Sequence, residues 1–387
     1  MAAFQYHSSE RTLGPTNGIA ALPPRKMNVR LLFDECVFTI CDERTLQMNT
    51  LGKKPHIPVL AFTRLIHVGQ GAKITVCTSA EEMLGLRSLW EQLGKFGCYT
   101  IFQDFRINLL AAERFAGREQ PYVVCAESPN GAAIVPAALR HSDHSIRLLG
   151  EELFDYRCFL HNDEEALRLA LAALAQLRRP LEVVAIRGAD RSSLPGELEL
   201  LPFCAAPAVC CSDISADAFA AAHARLARNL RRLERLGFEL RGYDGTNSQL
   251  LRSIYAGKAE QRSTSLFHDP KRIEFLVSAA GMMPEVFEIF TLENGPVMAA
   301  ALVVLRDGGC RRFYTGWFAP EYEKHSPALA LIYEVTRLSL AAGLHCDYMT
   351  GEQPYKMRLA TSSAPLYRVR ATEQQMSDAR PAGFIAA

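Results

Sequence analysis

The stretch from residue 311 to residue 369 constrains the fold of this chain more than any other. An aromatic-rich run from Arg311 to Phe318 predicts a strand. After a loop, an apolar-faced segment beginning at Ser326-Pro327 predicts a helix of about four turns. A second short strand, Leu344 to Met349, then leads into the polar residues Glu352 to Lys356. Such a strand–helix–strand unit places the helix start and those polar residues near one edge of a sheet, where open α/β sheets bind ligands.

The order of predicted elements occurs twice along the chain. From Lys73 onward the pattern predicts a strand, two helices, a hairpin, a helix and a strand, and the same order returns after residue 238. A turn signal joins the strands of each hairpin, at Ser128 to Gly131 in the first copy and at Glu293 to Pro296 in the second. The sequence therefore predicts an α+β fold with a mixed sheet, built from an internal structural repeat.

Local composition divides the chain into four predicted parts. Residues 1–27 mix Gly, Pro, Ser and Thr and predict a disordered leader, and residues 28–72 are an N-terminal extension to which no role is assigned. Residues 73–200 form the first predicted domain and residues 201–387 the second, which carries the site. We place the linker between them in Gly188 to Ala216, where Pro and Ser are frequent. A chain of 387 residues exceeds one ordinary core, which agrees with two domains.

Composition excludes several classes of protein. With 49% hydrophobic and 22% charged residues the chain is an ordinary globular protein, and 43 Lys and Arg residues nearly balance 42 Asp and Glu residues. No overall charge therefore favours nucleic acid or an acidic membrane as a partner. The 11 cysteines lack the paired spacing of a metal site, so we predict no metal. The absence of a signal-peptide pattern, and of an apolar run of the ~18 residues that cross a bilayer, favours a cytoplasmic location.

The polar residues after the second strand are candidates for acid–base chemistry. Glu352 lies close to Lys356, and Tyr355 and Arg358 flank the lysine. A carboxylate beside a lysine can keep it charged or can remove a proton from an attacking amine, and the lysine can stabilise an oxyanion. The alternative is a solvated turn whose surface ion pair contributes at most ~1 kcal/mol. The residues alone leave both interpretations open.

The start of the predicted helix is a candidate anion site. Ser326 is a favourable N-cap residue, Pro327 suits the first helical position, and Ala328 follows it. Free N–H groups and a partial positive charge at a helix N-terminus can receive a pyrophosphate or a carboxylate. The alternative is a capped helix with a purely structural role.

Two further features suggest substrate contacts. A helix from about Asp217 to Leu236 carries five arginines, among them Arg228 and Arg232, opposite a stripe of leucines. They either bind a phosphorylated substrate, a tRNA backbone or an anionic polymer, or they form a solvated face. On the aromatic strand, Tyr314 and Trp317 either contact a sugar or acyl chain or pack in the core.

The same residues resemble a known family, the CelD-like acyltransferases of the GNAT superfamily, which are associated with cellulose and exopolysaccharide biosynthesis. The residues that match its helix start and its following turn are Tyr322, Ser326, Pro327, Gly351, Glu352, Tyr355 and Lys356. FemABX-type peptidoglycan aminoacyltransferases, which are tandem GNAT folds, carry a comparable element, here Tyr355-Lys356-Met357-Arg358. The resemblance extends more weakly over about Lys73 to Val369.

This resemblance implies tandem GNAT-like acyl-CoA N-acyltransferase domains without a metal. The donor would be acetyl-CoA or a longer acyl-CoA, and the acceptor an amine or hydroxyl of a small molecule or glycan from the cell envelope. Glu352 would remove the proton, and Lys356 would stabilise negative charge beside Tyr355. The loop Glu323 to Ala328 lacks the two glycines of the usual GNAT pyrophosphate loop, which puts ordinary CoA binding in question.

Two other functions remain open on the sequence. The first is FemABX-like transfer from an aminoacyl-tRNA, with the arginine-rich helix contacting the tRNA. The second is a non-catalytic GNAT repeat that acts as a binding subunit of a polysaccharide-synthesis assembly. In the first repeat, Gly150 to Tyr156 shows no pyrophosphate-binding pattern and is predicted to form a turn that lines the cleft between the domains.

Overall fold

The chain divides into two compact units, residues 1–60 and residues 61–387. The computed structural model describes residues 30–33, 36–39, 64–68, 72–96, 99–187, 194 and 198–379. The leader predicted at 1–27 lies outside these residues, as does most of the extension predicted at 28–72. In the first unit, strands β1 (Arg30–Phe33) and β2 (Cys36–Thr39) pair as an antiparallel hairpin.

The first half of the larger unit follows the predicted order of elements. Its strands are β3 (Arg64–Val68), β4 (Ala72–Cys77), β5 (Glu119–Ser128), β6 (Gly131–Arg140), β7 (Ile146–Leu148), β8 (Leu160–His161) and β9 (Leu181–Arg187). Its helices are α1 (Ala80–Met83), α2 (Arg87–Leu93), α3 (Phe105–Arg114) and α4 (Glu164–Ala175). The predicted hairpin turn is confirmed, because Ser128 pairs with Gly131 where β5 meets β6.

The second half repeats this order after a strand and two helices. Its strands are β10 (Glu199–Val209), β11 (Glu239–Asp244), β12 (Phe287–Asn294), β13 (Val297–Asp307), β14 (Cys310–Phe318), β15 (His345–Asp347) and β16 (Ser362–Ala371). Its helices are α5 (Ala216–Ala222), α6 (Ala224–Arg235), α7 (Ser248–Glu260), α8 (Pro270–Met282), α9 (Pro327–Ala341), α10 (Pro354–Leu359) and α11 (Glu373–Asp378). The predicted unit of strand, helix and strand is therefore confirmed as β14, α9 and β15.

Three local predictions were wrong. The proposed linker region contains β10, an 11-residue strand in the middle of the sheet. The predicted helix from Asp217 to Leu236 is two helices, α5 and α6, which are separated at His223. The polar residues after the second strand, which the sequence predicts to form a turn, are a loop only as far as Gln353. Tyr355, Lys356 and Arg358 lie on helix α10. The division into domains at residues 73–200 and 201–387 stays a prediction.

One large sheet joins the two halves. Its strand order is β11-β12-β13-β14-β15-β10-β16-β9-β7-β6-β5-β4-β3, and β8 pairs with β6. Strand β10 lies between β15 and β16, and β16 in turn pairs with β9 of the first half. Because each half borders on strands of the other, the backbone hydrogen bonds of the sheet hold them together.

Helices cover both faces of this sheet. On one face, a hydrophobic core common to both halves contains side chains of α2, α3, α7 and α8, including Trp90, Phe105, Tyr255 and Phe275. On the other face, α4 covers the strands of the first half, and α9 with α5 and α6 covers those of the second. Within the part of the chain described above, no helix has the length and apolar character that would let it cross a membrane.

Candidate active site

The sheet opens at equivalent places in the two halves. Strands β14 and β15 run parallel and pair from Cys310 and His345 to Arg312 and Asp347, after which β14 continues alone to Phe318. We call this opening the second splay. Tyr314 has no partner in the pairing of β13 with β14, and it forms a β-bulge at the point where β14 and β15 separate. Residues 314–318 are half-exposed, so this end of β14 can be reached from solvent.

Residues 153–157 of the first half lie beside the second splay, and we call them the bridging segment. The Tyr314 hydroxyl donates to the carbonyl of Leu153 (2.9 Å), and the Thr350 hydroxyl donates to Oδ1 of Asp155 (3.0 Å). The Tyr156 hydroxyl donates to Oδ1 of Asp347 (2.6 Å). These bonds confirm that the Gly150 to Tyr156 region lines the junction between the halves.

Asp155, Thr350 and Lys356 form the polar centre of this junction. Thr350 links the other two, because its hydroxyl binds Asp155 and its carbonyl accepts a 2.6 Å hydrogen bond from Nζ of Lys356. Burial raises the pKa of Asp155 to about 6, and burial lowers the pKa of Lys356, which is only 9% exposed. A carboxylate that titrates just below neutrality beside a buried ammonium group is typical of catalytic sites.

The loop that presents Thr350 has an unusual backbone. Met349 and Gly351, on either side of Thr350, both have positive φ angles, 65° and 99°. The φ of 99° at Gly351 lies in a region that residues with a Cβ atom rarely adopt, so glycine is favoured there. Met349 is held in place because its N–H donates to Oδ1 of Asp347 (2.8 Å). Backbone strain of this kind occurs at functional sites, where the surrounding structure imposes it.

A buried ion pair supports the loop from below. Arg312 and Asp347, 7% and 5% exposed, meet at 2.5 Å between Nη1 and Oδ2. Arg312 also donates from Nε to Asp307 (3.0 Å), and its guanidinium lies over the ring of Tyr156. Because each partner would be costly to leave buried alone, this pair fixes the end of β15 relative to β14. The hydrogen bond from Tyr156 to Asp347 then ties the bridging segment to the same point.

The three predicted catalytic residues occupy different environments. Lys356 is buried against the bridging segment, as described. Glu352 is exposed, and both it and Lys356 lie within electrostatic range of Cys204 on β10, as does Asp155. Tyr355 is half-buried on α10, and burial raises the pKa of its hydroxyl. Sequence reasoning missed Asp155, although it placed the segment that carries it at the junction.

The predicted donor-binding residues form the start of α9. Pro327 is buried at the first helical position, as predicted, and Ala328 is half-exposed in the first turn. Ser326 precedes them with a φ of 51°, and its side chain makes no capping hydrogen bond. The prediction that Ser326 is the N-cap residue is therefore confirmed, although its hydroxyl makes no capping hydrogen bond. The N–H groups of the first turn are left without this partner and can bind an anion.

The residues predicted to contact substrate are not gathered in one place. Tyr314 packs against the shared core, and Trp317 lies against Gly257 of α7, where a Cβ atom would come within 2.4 Å of its indole nitrogen. Arg358 is exposed on α10 and donates to the carbonyl of Pro354 (3.3 Å). Arg228 and Arg232 are exposed on the outer face of α6.

A cavity of about 260 Å³ occupies the corresponding opening in the first half, which we call the first splay. Strands β7 and β9 pair in parallel only at Ile146 and Leu181, and then separate. The residues that line this cavity are Glu119, Arg140, Arg147, Leu148, Glu152, Phe154, Asp155, Arg157, Glu182, Val184, Ala185, Phe203 and Thr350. Asp155 and Thr350 thus connect the cavity to the polar centre at the junction.

Comparisons with known proteins bear on this arrangement. Residues 220–357 match the family model of the acetyltransferase (GNAT) domain, a range that includes β14, α9, β15 and Lys356. The comparison with curated proteins returned no match.

Several solved structures have a similar fold. The C-terminal domain of a protein named as a lysylphosphatidylglycerol synthetase from Agrobacterium fabrum has a TM-score of 0.52 at 11% identity, covering 78% of this chain and 95% of that one. A conserved protein of unknown function from Bacteroides thetaiotaomicron VPI-5482 has a TM-score of 0.51 at 10% identity, covering 75% and 97%. A tandem GNAT protein from the clavulanic acid biosynthesis pathway has a TM-score of 0.45 at 11% identity, covering 78% and 98%. At these identities the likeness concerns the fold alone.

Proposed function

We propose that this protein is an N-acyltransferase that moves an acyl group from an acyl-CoA-type thioester to an amine, in keeping with the match of residues 220–357 to the acetyltransferase (GNAT) domain model. The acceptor is an amine, or less favourably a hydroxyl, of a cell-envelope or exopolysaccharide sugar or its precursor, as in the CelD-like branch. The observation that carries the proposal is the contact of Asp155 and Lys356 with the same residue, Thr350, beside the second splay of the matched domain.

The proton of the acceptor amine is removed by a carboxylate. A protonated amine cannot attack a thioester, and Asp155, with a pKa of about 6, is ionised at neutral pH while still basic enough to accept a proton. Glu352, the base that the sequence suggests, is a second carboxylate near Cys204 and is the alternative to Asp155. The amine nitrogen then bonds to the thioester carbon, and its proton passes to the carboxylate.

Charge on the reacting carbonyl is stabilised by Lys356. Its ammonium group is largely withdrawn from water, and in such a site an electrostatic contact with an oxyanion is stronger than in solvent. When the intermediate collapses, the carbon–sulfur bond breaks and the thiolate leaves. Tyr355 is here given the role of donating a proton to that thiolate, because burial keeps its hydroxyl protonated.

The donor is proposed to bind along the second splay. The start of α9 at Ser326, Pro327 and Ala328 receives its phosphates through free N–H groups. Trp317 on the half-exposed end of β14 borders the acyl chain, and Arg358 on α10 is available to the outer part of a substrate. The thioester is already an activated acyl donor, so the proposal needs no metal.

The test is an acyl-transfer assay with acetyl-CoA and longer acyl-CoAs against a panel of amino sugars. We expect Lys356→Ala to lose at least about a hundredfold in kcat, the typical effect of removing one oxyanion-stabilising group. Lys271→Ala, which removes an exposed lysine on α8, is the matched control and retains the wild-type rate. A folded Lys356→Ala protein with full activity would rule out the proposed site.

One observation favours a second function, transfer from an aminoacyl-tRNA. Five arginines of α6 are exposed, and none of them forms an ion pair with a carboxylate in the part of the chain that the structure describes; they are Arg225, Arg228, Arg231, Arg232 and Arg235. Such a surface suits a phosphate backbone. RNA affinity that falls steeply with salt would support this function, whereas binding of acyl-CoA without RNA affinity would exclude it. Acyl-CoA binding without turnover of any acceptor would instead indicate a non-catalytic binding subunit.

A further inference from the structure

We propose that the cavity in the first splay is the acceptor site and that it takes an uncharged or cationic polyhydroxylated amine, such as an amino sugar. This inference rests on the proposed function, because it supplies the substrate whose amine Asp155 deprotonates. It assigns the two openings of the sheet to the two substrates, the donor to the second splay and the acceptor to the first.

The first splay does not suit a CoA donor. Arg157 of the bridging segment lies across the gap between β7 and β9, pairing with Ile186 on one side. On the other side its Nη1 donates to the carbonyls of Leu148 (3.0 Å) and Leu149 (3.2 Å). The backbone groups that a pantetheine chain would need at this edge are therefore already occupied.

The helix beside the first splay also disfavours a pyrophosphate. Asp163 caps α4 by accepting a 3.0 Å hydrogen bond from the N–H of Ala166, and Glu164 and Glu165 occupy the first turn. Three carboxylates at a helix start repel an anion and use the N–H groups that would bind it. What remains in the first splay is a partly open cavity with charged groups in its walls, rather than a channel for a thioester.

The cavity is not built for an anionic ligand. Arg140 pairs with Glu152 (2.7 Å), Arg147 pairs with Glu182, and Arg157 is bound to backbone carbonyls. The lining contains four carboxylates, of Glu119, Glu152, Asp155 and Glu182, against these three arginines. Glu152 also pairs with Arg272, and Glu182 with Arg368. Because the arginines of the lining are engaged by carboxylates or carbonyls, the cavity favours an amine over a phosphate.

The shape of the cavity suits one sugar ring. Its volume of about 260 Å³ lies just below the roughly 300–1,000 Å³ of sites for drug-sized ligands. Phe203 on β10 is 38% exposed and lines it, and Arg368 lies over the ring of this phenylalanine. An exposed aromatic ring offers an apolar surface to the C–H face of a sugar, while the paired charged groups hydrogen-bond its hydroxyls.

Irregularities in the strands aim these side chains at the cavity. Phe203 is the extra residue of a β-bulge, since Pro202 pairs with Tyr367 and Cys204 with Leu366. On β9 the register with β16 shifts between Val183 and Ile186, and Ala185 there has a φ of 58°. Bulges commonly re-aim side chains beside active sites, and two of them face this cavity.

The experiment fills the cavity without altering the catalytic residues. Val184 is half-buried on β9 and lines the cavity, so Val184→Phe places a ring in the space of the sugar. The matched control is Val297→Phe, at an exposed valine 43% accessible at the start of β13. Calorimetry measures binding of glucosamine and of acetyl-CoA separately, and thermal unfolding verifies that both variants fold.

We expect Val184→Phe to weaken glucosamine binding at least about tenfold, or 1.4 kcal/mol, and to leave acetyl-CoA binding unchanged. Val297→Phe should change neither, and glucosamine 6-phosphate should bind wild-type protein no more tightly than glucosamine. Wild-type protein that does not bind glucosamine, a folded Val184→Phe variant that binds it normally, or tighter binding of the phosphate would each overturn the inference. Glucosamine binding in the cavity without any acyl transfer would instead count against the proposed function alone.

Discussion

Helices α4 and α9 begin at equivalent places in the two halves, yet their first turns present opposite surfaces. Helix α4 starts with Asp163, Glu164 and Glu165, and its first N–H groups are capped. Helix α9 is preceded by Lys324 and His325, has no acidic residue in its first turn, and its Ser326 side chain provides no cap. The difference teaches that the two halves have diverged in electrostatics, which supports the proposal that the anionic donor binds at the second.

The largest expected effect on activity concerns Asp155, a carboxylate of the first half that lies in the polar centre beside the second splay. Asp155→Asn keeps the size of the side chain and removes the base, so we expect kcat to fall by about 10²–10⁴. In wild-type protein, kcat/KM should decline below pH 6, where Asp155 becomes protonated, and the variant should lack this acid limb. Glu352→Gln is the matched comparison: if it abolishes the limb and Asp155→Asn does not, Glu352 is the base.

Ionisation of Asp155 should lower the stability of the folded protein, although the proposed activity requires it. The folded pKa of Asp155, about 6, exceeds its ordinary value of 3.8, so ionisation disfavours the folded state. The contribution of Asp155 to stability therefore falls as the pH rises from 4 to 7, by on the order of 2 kcal/mol, and the stability of Asp155→Asn relative to wild-type protein should rise by that amount. Urea unfolding at both pH values measures the difference. An Asn variant whose relative stability does not change with pH would mean that Asp155 is not held in a desolvated site.

The first turns of α4 and α9 can be compared by adding a carboxylate to α9 and removing one from α4, and by measuring the affinity for acyl-CoA. Ala328→Glu gives α9 an acidic first turn like that of α4, and we expect the affinity for acyl-CoA to fall about tenfold. Ala328→Gln introduces a similar side chain without the charge and should have little effect. Glu165→Ala on α4 should leave acyl-CoA affinity unchanged, and a gain in affinity from that change would show that the first splay also takes the donor.

The sequence predicted the parts of the fold that depend on neighbours along the chain. Strand β14, helix α9 and strand β15 follow from an aromatic run, an apolar face and a Ser-Pro start. Asp155 could not be found this way, because the residue that binds it, Thr350, lies 195 positions away. The pairing of β16 with β9 of the first half is equally non-local. Ser326 is the N-cap residue as predicted, but its left-handed backbone, which the pattern did not indicate, leaves the side chain without a capping hydrogen bond.

The smallest expected effect concerns the arginines of α6, which belong to neither splay. Leu230 and Leu233 of this helix are buried against the core beneath α9, while Arg228 and Arg232 face solvent. If the donor is an acyl-CoA, replacing both arginines with alanine should leave kcat and both KM values for small substrates within about twofold, because exposed charges contribute little at a distance in salt. If the donor is an aminoacyl-tRNA, the same double variant should weaken RNA binding and lower the slope of its salt dependence by about two. Kinetics and RNA binding of this double variant therefore distinguish an acyl-CoA donor from an aminoacyl-tRNA donor, and the two arginines lie outside the proposed acyl-transfer site.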